Sequence, residues 1–296
     1  MNPVNSTQEP VVDVVIVCYR SRDLIAKCLD SVFRQTRVVP KVVVIENASG
    51  DGVAASLAPF QDKLTFIENS ENIGFGRACN QGAAMGTAPF IMFLNPDCVM
   101  TDGALSELID FLARTPSVAL AGPRVFEPGG EVRPYSVYPC PPLVPPHFKK
   151  LPGAITSIVG ACMIVRREAF KAVGGFDSNF PLYAEETDLC LRLRVAGWEI
   201  GHDPKTTVHH EDGASERGAS SYDVERRKRR ALLQFMLKHY DRQAVRKWAR
   251  RELAKTRFKT ALTRAGCRLL GSQAKLPGKI QKYRATADAI IEAFGP

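Results

Sequence analysis

The side chains in this 296-residue chain whose spacing points to chemistry are carboxylates, a histidine pair and a scatter of loop amides. Phe90-Ile-Met-Phe-Leu94 is apolar without alternation, the pattern of a strand buried on both faces. The polar residues begin where that run stops, at Asn95-Pro96-Asp97. Ligands of open α/β sheets bind beyond the carboxyl ends of the strands, which makes Asn95 and Asp97 site candidates. Pro96 denies the ladder a donor and sets the direction in which Asp97 leaves the strand. A carboxylate held there is a hard-oxygen ligand for Mg²⁺ or Mn²⁺ carrying a diphosphate. Asn-Pro-Asp is equally ordinary turn chemistry. A second acidic group, Glu185, Glu186 and Asp188, opens a helical pattern continued by Leu189, Leu193 and Ala196. The helix dipole alone accounts for negative charge in a first turn, and the same position suits a general base.

The elements that must position these residues alternate strand and helix. Val11–Val17 reads as a strand, followed by Ser21 as an N-cap and by Ile25, Cys28, Leu29, Val32 and Phe33 at helical spacing. Strands follow at Lys41–Ile45 and Leu64–Ile67. A Gly/Asn/Ser-rich loop occupies residues 46–52 and a short helical stretch residues 53–60. The pattern then gives a helix over Phe75–Met85 with Gly86 as its C′ residue, and the apolar strand at 90–94. Asp102 is placed to cap a helix through Leu105, Leu108, Ile109 and Leu112, and Val118–Ala121 returns as a strand. Residues 127–152 hold eight prolines and no periodicity, either a binding rim or an irregular connection. An apolar strand over Ile155–Val165 and a short helix over Arg167–Val173 precede the acidic helix. The expected architecture is a doubly wound α/β sheet over 11–220, with a flexible N-terminus at 1–10 and a basic helical extension over 221–296.

Charge divides the chain along the same line. Residues 221–296 carry 20 Lys plus Arg against 6 Asp plus Glu, a balance of +14 within a net +9, so the remainder is acidic at −5. In the tail, one apolar stripe runs Leu232, Phe235, Met236, Tyr240 and another Val245, Trp248, Ala249, Leu253. Such helices suit an anionic membrane surface or a packed bundle with a solvated basic face. No stretch reaches the roughly 18 apolar residues of a membrane span. No apolar core marks residues 1–10 as a secretion signal, and the eight cysteines form no C-x-x-C pair, so a reducing cytoplasm is expected. The acidic front, with Asp97, Glu185, Glu186 and Asp188, argues against nucleic acid as partner. Cys18-Tyr-Arg-Ser-Arg-Asp23 after the first strand lacks the glycines of a dinucleotide-binding fingerprint.

Seven short segments fall in one register: Val14-Val-Ile-Val-Cys-Tyr-Arg20, Val43-Val-Ile-Glu-Asn-Ala-Ser-Gly-Asp51, Glu71-Asn-Ile-Gly-Phe-Gly-Arg-Ala-Cys-Asn80, Leu94-Asn-Pro-Asp97, Gly160-Ala-Cys-Met-Ile-Val-Arg166, Gly174-Gly-Phe-Asp177 and Tyr183-Ala-Glu-Glu-Thr-Asp-Leu-Cys-Leu-Arg192. Together they closely resemble the family 2 inverting glycosyltransferases, in the bacterial rhamnosyltransferase-like branch, over about residues 11–240. The resemblance implies the GT-A fold, a Rossmann-like, mostly parallel sheet with helices on both faces. It implies transfer of a sugar from a nucleotide-sugar donor, with dTDP-L-rhamnose suggested by the branch and UDP-sugars close behind. The expected acceptor is a saccharide or lipid-linked saccharide in cell-surface polysaccharide synthesis, the lipid-linked form because the basic tail would bring the chain to the inner face of the membrane where such acceptors sit. A nucleotidyltransferase or an inactive sugar-nucleotide-binding relative is the nearest rival.

By the same resemblance Cys18, Tyr19 and Arg20 line the nucleotide, Glu46 reads the base, and Asn72, Gly74 and Arg77 close the other side with Asn95. Asp97 takes the metal-ligand position of the family's D-x-D motif, and His210, in His-Glu-Asp-Gly-Ala-Ser215, completes the Mg²⁺ or Mn²⁺ site. Glu185-Glu186 matches the acidic base motif, where Glu-Asp is usual. The choice between Glu185 and Glu186, and between His209 and His210, stays open, with Glu186 and His210 preferred. Arg20 stands where Asn is common and Glu46 where Asp is. Asp188 and Trp198 are candidates for the acceptor side, Trp198 by stacking on a sugar or else as core.

Overall fold

A computed structural model of the chain describes residues 11–130, 132–133, 137–180, 182–210, 218–270 and 276–295. The expected flexible N-terminus, 1–10, and Glu211–Ser215 of the histidine motif lie outside the described residues. Two compact units emerge. The first comprises residues 1–137, 151–181 and 186–215, and the second residues 138–150, 182–185 and 216–296.

The first unit is built on one sheet. Its strands are β1 (Val11–Cys18), β2 (Val39–Glu46), β3 (Leu64–Glu68), β4 (Phe90–Leu94), β5 (Cys98–Met100), β6 (Val118–Phe126), β7 (Val132–Arg133), β8 (Cys162–Arg166) and β9 (Glu199–His210). They stand in the order β3-β2-β1-β4-β8-β6-β9-β5, with β7 paired to β6. The first four are parallel; β8 enters antiparallel between β4 and β6, and β9 runs parallel to β6. Helices α1 (Ile25–Phe33), α2 (Val53–Leu57), α3 (Phe75–Ala84), α4 (Ala104–Arg114), α5 (Arg167–Ala172) and α6 (Glu185–Val195) connect the strands.

Unbroken apolar strands are explained by burial on both faces. In β1, Val14 and Ile16 belong to one core cluster and Val15 and Val17 to the other; in β4, Met92 and Leu94 face one and Ile91 and Phe93 the other. Three helix ends differ from expectation. Residues 22–24 form a turn on Ser21 O before α1 begins, so Ser21 is not its N-cap. Gly103, at φ +78°, takes the N-cap position of α4 in place of Asp102. Gly86 is not a left-handed C′ residue. A Cβ there would lie 2.1 Å from Asp13 Oδ2, so glycine is required by close approach to a buried carboxylate.

That carboxylate anchors the amino-terminal edge of the sheet. Asp13 and Arg167 are both buried and form an ion pair; Asp13 Oδ2 also accepts from Ala88 N–H at 2.9 Å, and Arg167 Nη1 donates to Ala83 O at 2.7 Å.

The second unit contains α7 (Ser221–His239), α8 (Arg242–Leu270) and α9 (Leu276–Phe294). Ser220 Oγ accepts from Asp223 N–H and caps α7. Leu233, Ala249, Leu253, Ala289 and Ile290 form its core. The first expected stripe is shifted by one residue: Leu233, Phe235, Met236 and Tyr240 are buried while Leu232 is half-buried. Part of it is spent on residues 138–150, where Tyr138 and Phe148 pack around Phe235 and Tyr240, and Tyr240 Oη donates to Pro139 O at 2.7 Å. The proline-rich segment is thus partly an aromatic packing element.

Candidate functional site

Parallel strands bring their carboxyl ends to one edge, and the candidate site is assembled there. Beyond β4, Asn95 N–H donates to Ala161 O at 2.8 Å and Asn95 O accepts from Cys98 N–H at 3.1 Å. The Asn-Pro-Asp turn is thereby pinned to the backbone entering β8. Immediately after the turn, β5 pairs antiparallel with the end of β9, setting Cys98 opposite His210. His210 Nε2 lies 3.4 Å from Asp97 Oδ1, both side chains being buried. The approach does not close into a hydrogen bond: Asp97 Oδ1 and His210 Nδ1 are buried without a partner. Strand alternation turns His209 outward, where it is exposed beside the Phe126 ring.

An unpartnered buried polar atom costs about 1–3 kcal/mol, a cost that a cation held by these two side chains would offset. Asp97, Cys98 and His210 each bring a ligand atom within 4.8 Å of the others. Burial pushes the Cys98 thiol up, and it donates to Ala161 O at 3.4 Å. Oxygen and nitrogen are therefore the available ligands, a set that fits Mg²⁺ or Mn²⁺ better than a thiophilic ion.

Glu186 is drawn to the same edge. A Cβ built on Gly160 would lie 3.6 Å from Glu186 Cβ and Cγ, which sets this side chain against the backbone that also holds Asn95. Burial raises its carboxyl above the ordinary value, opposed by hydrogen bonds from backbone N–H groups and from Thr187. Thr187 Oγ1 donates to Glu186 Oε1 at 3.4 Å, and Ser157 Oγ donates to Thr187 Oγ1 at 3.3 Å. Glu186 is partly exposed, whereas Glu185 is only 5 % exposed. Tyr183 and Ala184, which lead into α6, both take positive φ, +70° and +63°.

Two acceptor-side candidates are not brought here. Asp188 is fully buried, and its Oδ2 accepts from Arg192 Nε at 2.7 Å while Arg192 Nη1 donates to Val173 O. It is an interior ion-pair partner, not an offered carboxylate. Trp198 precedes β9, at the end opposite His210, about 30–40 Å of strand away. Its side chain packs on the core beneath the sheet.

The expected nucleotide side gathers at the ends of β1 and β2. Cys18 is wholly buried with its thiol pushed up to about 12 by burial, so it offers backbone only, its carbonyl accepting from Asn47 N–H. Tyr19 lies under the Arg20 guanidinium at 5.4 Å, and Arg20 itself holds φ +56°. Glu46 Oε1 accepts from Ser49 N–H and Oγ, and its Oε2 is buried without a partner. Gly74 adopts φ +88°, ψ +158°, a region reserved for glycine. Arg77, exposed, donates from Nε to Ser178 O at 2.9 Å. Asn72 is used for support, its Oδ1 accepting from Gly74 N–H and from Asn47 Nδ2. Sequence reasoning missed the hub of this network. Asn47 Oδ1 accepts from Ile73 N–H and Asn69 Nδ2, and Asn69 exchanges hydrogen bonds with Gln81. The signal was present as Asn residues directly after two successive strands.

A model of the family described as "Glycosyl transferase family 2" matches residues 13–174, more than half of the chain. The chain belongs to glycosyl transferase family 2. The match takes in Asp97 and ends before Glu186 and His210. This family 2 chain is 27% identical over 246 residues to the N-acetylglucosaminyl-diphospho-decaprenol L-rhamnosyltransferase of Mycobacterium tuberculosis, covering 72% of the chain and 80% of that relative. It is 28% identical over 234 residues to the O-antigen biosynthesis protein RfbC of Myxococcus xanthus, covering 73% of the chain and 18% of RfbC. A mannosyltransferase from Pyrobaculum calidifontis, solved in complex with GDP-Man and Mn²⁺, superposes with a TM-score of 0.62 at 18% identity, covering 97% of this chain and 88% of that one. S. aureus TarS 1–349 in complex with UDP gives a TM-score of 0.55 at 16% identity, covering 95% and 91%. The fold is of the GT-A kind, and helices follow the sheet in this family 2 chain.

Proposed function

We propose that this family 2 glycosyltransferase moves a sugar, L-rhamnose from dTDP-L-rhamnose, with inversion at the anomeric carbon and with Mg²⁺ or Mn²⁺. The acceptor in this reading is a saccharide or lipid-linked saccharide destined for a cell-surface polysaccharide. The observation that carries it is the open Asp97–His210 pair at the sheet edge where Glu186 also lies. The choice of rhamnose and of a lipid-linked acceptor is supported by the name of the mycobacterial relative.

Inversion requires a base on the face of the sugar opposite the leaving diphosphate. Glu186 takes the acceptor proton: it is the more accessible of the two glutamates, and a raised carboxyl is a stronger base than an ordinary one. Thr187 and Ser157 hold its Oε1. Asp97 and His210 would hold the divalent cation, which would supply charge neutralisation for the departing diphosphate. Glu46 and the Asn47–Asn72 network receive the base and ribose, with Glu46 Oε2 as a free acceptor. In the same reading the helical unit keeps the enzyme at the cytoplasmic face of an anionic membrane, where lipid-linked acceptors reside. All seven cysteines of the described residues are free thiols, in keeping with a reducing compartment.

The test is turnover by the purified chain with dTDP-L-rhamnose, UDP-sugars and GDP-mannose in the presence of Mn²⁺, and determination of the anomeric configuration of the product by NMR. Preference for dTDP-L-rhamnose with inverted product supports the reading. Full turnover in EDTA, or retained configuration, overturns it.

A further inference from the structure

The basic residues of the helical unit are used in two different ways. On α7 several are absorbed internally: Arg226 and Arg230 both pair with Glu292 of α9, and Arg229 pairs with Glu225. On α8 they are not. Between Arg242 and Thr263 the helix carries eight Lys or Arg and one acidic residue, Glu252, which is matched to Lys255. Arg246, Lys247, Arg250, Arg251 and Arg257 have no carboxylate partner among the described residues and are all exposed.

The inward side of α8 is set by buried Val245, Ala249, Leu253 and Thr256. At about 100° per residue, Lys247, Arg251, Ala254, Phe258 and Leu262 fall on the opposite side. Phe258 is 64% exposed and Leu262 56% exposed. They stand one turn apart as an i, i+4 pair, so the two side chains make one apolar patch in the middle of a cationic face. Large apolar side chains surrounded by unpaired cations suit neither water nor a basic nucleic-acid groove. They suit a surface that is apolar beneath and anionic above.

We infer that the outer face of α8 lies in the plane of an anionic lipid surface, with Phe258 and Leu262 entering the acyl boundary and Lys247, Arg250, Arg251 and Arg257 reaching the headgroups. Long basic side chains supply their methylene stems to the apolar layer and their charge to the phosphates, the usual arrangement of an interfacial helix. The inference names the face and the lipid chemistry behind the membrane location proposed above; it rests on that location and not on the transfer chemistry.

The experiment is sedimentation of the full chain with vesicles of phosphatidylcholine alone and of equal parts phosphatidylcholine and phosphatidylglycerol. The unaltered chain binds the anionic vesicles, and salt weakens the binding. F258S/L262S weakens it by about tenfold or more with the salt dependence retained, and R250Q/R251Q/R257Q removes the preference for anionic lipid. In F258W the new indole shifts its emission to the blue on anionic vesicles. Circular dichroism and turnover on a soluble acceptor, unchanged in these variants, show that the fold and chemistry survive, so loss of the surface and loss of the reaction are read separately. Equal vesicle binding by F258S/L262S overturns the inference. So does a change in sedimentation coefficient in that variant with vesicle binding intact, which would assign the face to a second copy of the chain.

Discussion

Two edges of one sheet hold a buried aspartate each, and the two are treated in opposite ways. At the amino-terminal edge Asp13 faces Arg167, a permanent cation, and the close approach of Gly86 and Ala88 seals the pair. At the carboxyl edge Asp97 lies 3.4 Å from an imidazole, and each partner keeps a buried atom without a hydrogen-bond partner among the described residues. Both carboxylates have been taken out of water. Each keeps one oxygen without a hydrogen-bond partner, Asp13 Oδ1 and Asp97 Oδ1, so what distinguishes them is the neighbour: a guanidinium in ion-pair contact for the first, an imidazole at 3.4 Å for the second. In the reading proposed above, the first pair serves stability and the second serves function on one scaffold.

The largest effect should come from the open edge. Asp97→Ala or His210→Ala is expected to lower turnover by about 10³-fold or more, the scale of losing charge stabilisation at the leaving group, while the melting temperature holds or rises. Mn²⁺ titration of turnover, with melting followed in parallel, checks this; a fall in stability without a change in metal dependence would make Asp97 a second structural pair and erase the contrast.

Glu186→Gln should lower turnover by about 10²–10⁴-fold with little change in sugar-nucleotide affinity. The carboxyl is raised above its ordinary value, so the active, ionised form appears only above the ordinary carboxylate range, and the acidic limb of the pH–rate profile should lie there and vanish in Glu186→Gln. The linkage has a definite sign. A group whose folded pKa is raised stabilises the fold below its unfolded pKa and loses that contribution as pH rises through the folded one. Replacing Glu186 should therefore raise the melting temperature at neutral pH and not at acidic pH. An unshifted limb would remove Glu186 as base.

At the closed edge, Arg167→Met should destabilise by about 3–5 kcal/mol, because Asp13 would be left buried and unpaired. Gly86→Ala should cost about 1–3 kcal/mol by driving a methyl into the same carboxylate. Denaturant unfolding measures both, and turnover per folded molecule should stay within about twofold of the unaltered chain. The smallest effect belongs to Trp198→Phe. Standing at the far end of β9, it should leave the acceptor KM within about twofold, and a larger rise would return Trp198 to the acceptor side.

Much of this was legible from residue order. An apolar run with no alternation is a strand covered on both faces, and β1 and β4 are that; a Pro between Asn and Asp ends the strand where ligands gather. The order of seven short motifs pointed to glycosyl transferase family 2, and the family match agrees. The pairing of buried Asp188 with Arg192 was not legible, because a carboxylate in a first turn looks the same in sequence whether it faces solvent or an arginine one turn on. Gly86 looked like a helix stop, since nothing local reveals that a strand's aspartate lies beneath it.

The sequence by itself determined the period of each element, the acidic front and basic back, and the register of the family motifs, because those are properties of neighbours along the chain. Only the tertiary structure decided which histidine faces Asp97, since strand alternation becomes inward and outward only once β5 pairs with β9. It likewise decided that α7 pairs several of its arginines internally, while Arg246, Arg250, Arg251 and Arg257 of α8 have no carboxylate partner among the described residues. Those distinctions rest on pairings between residues far apart in the chain, where local propensity carries no information.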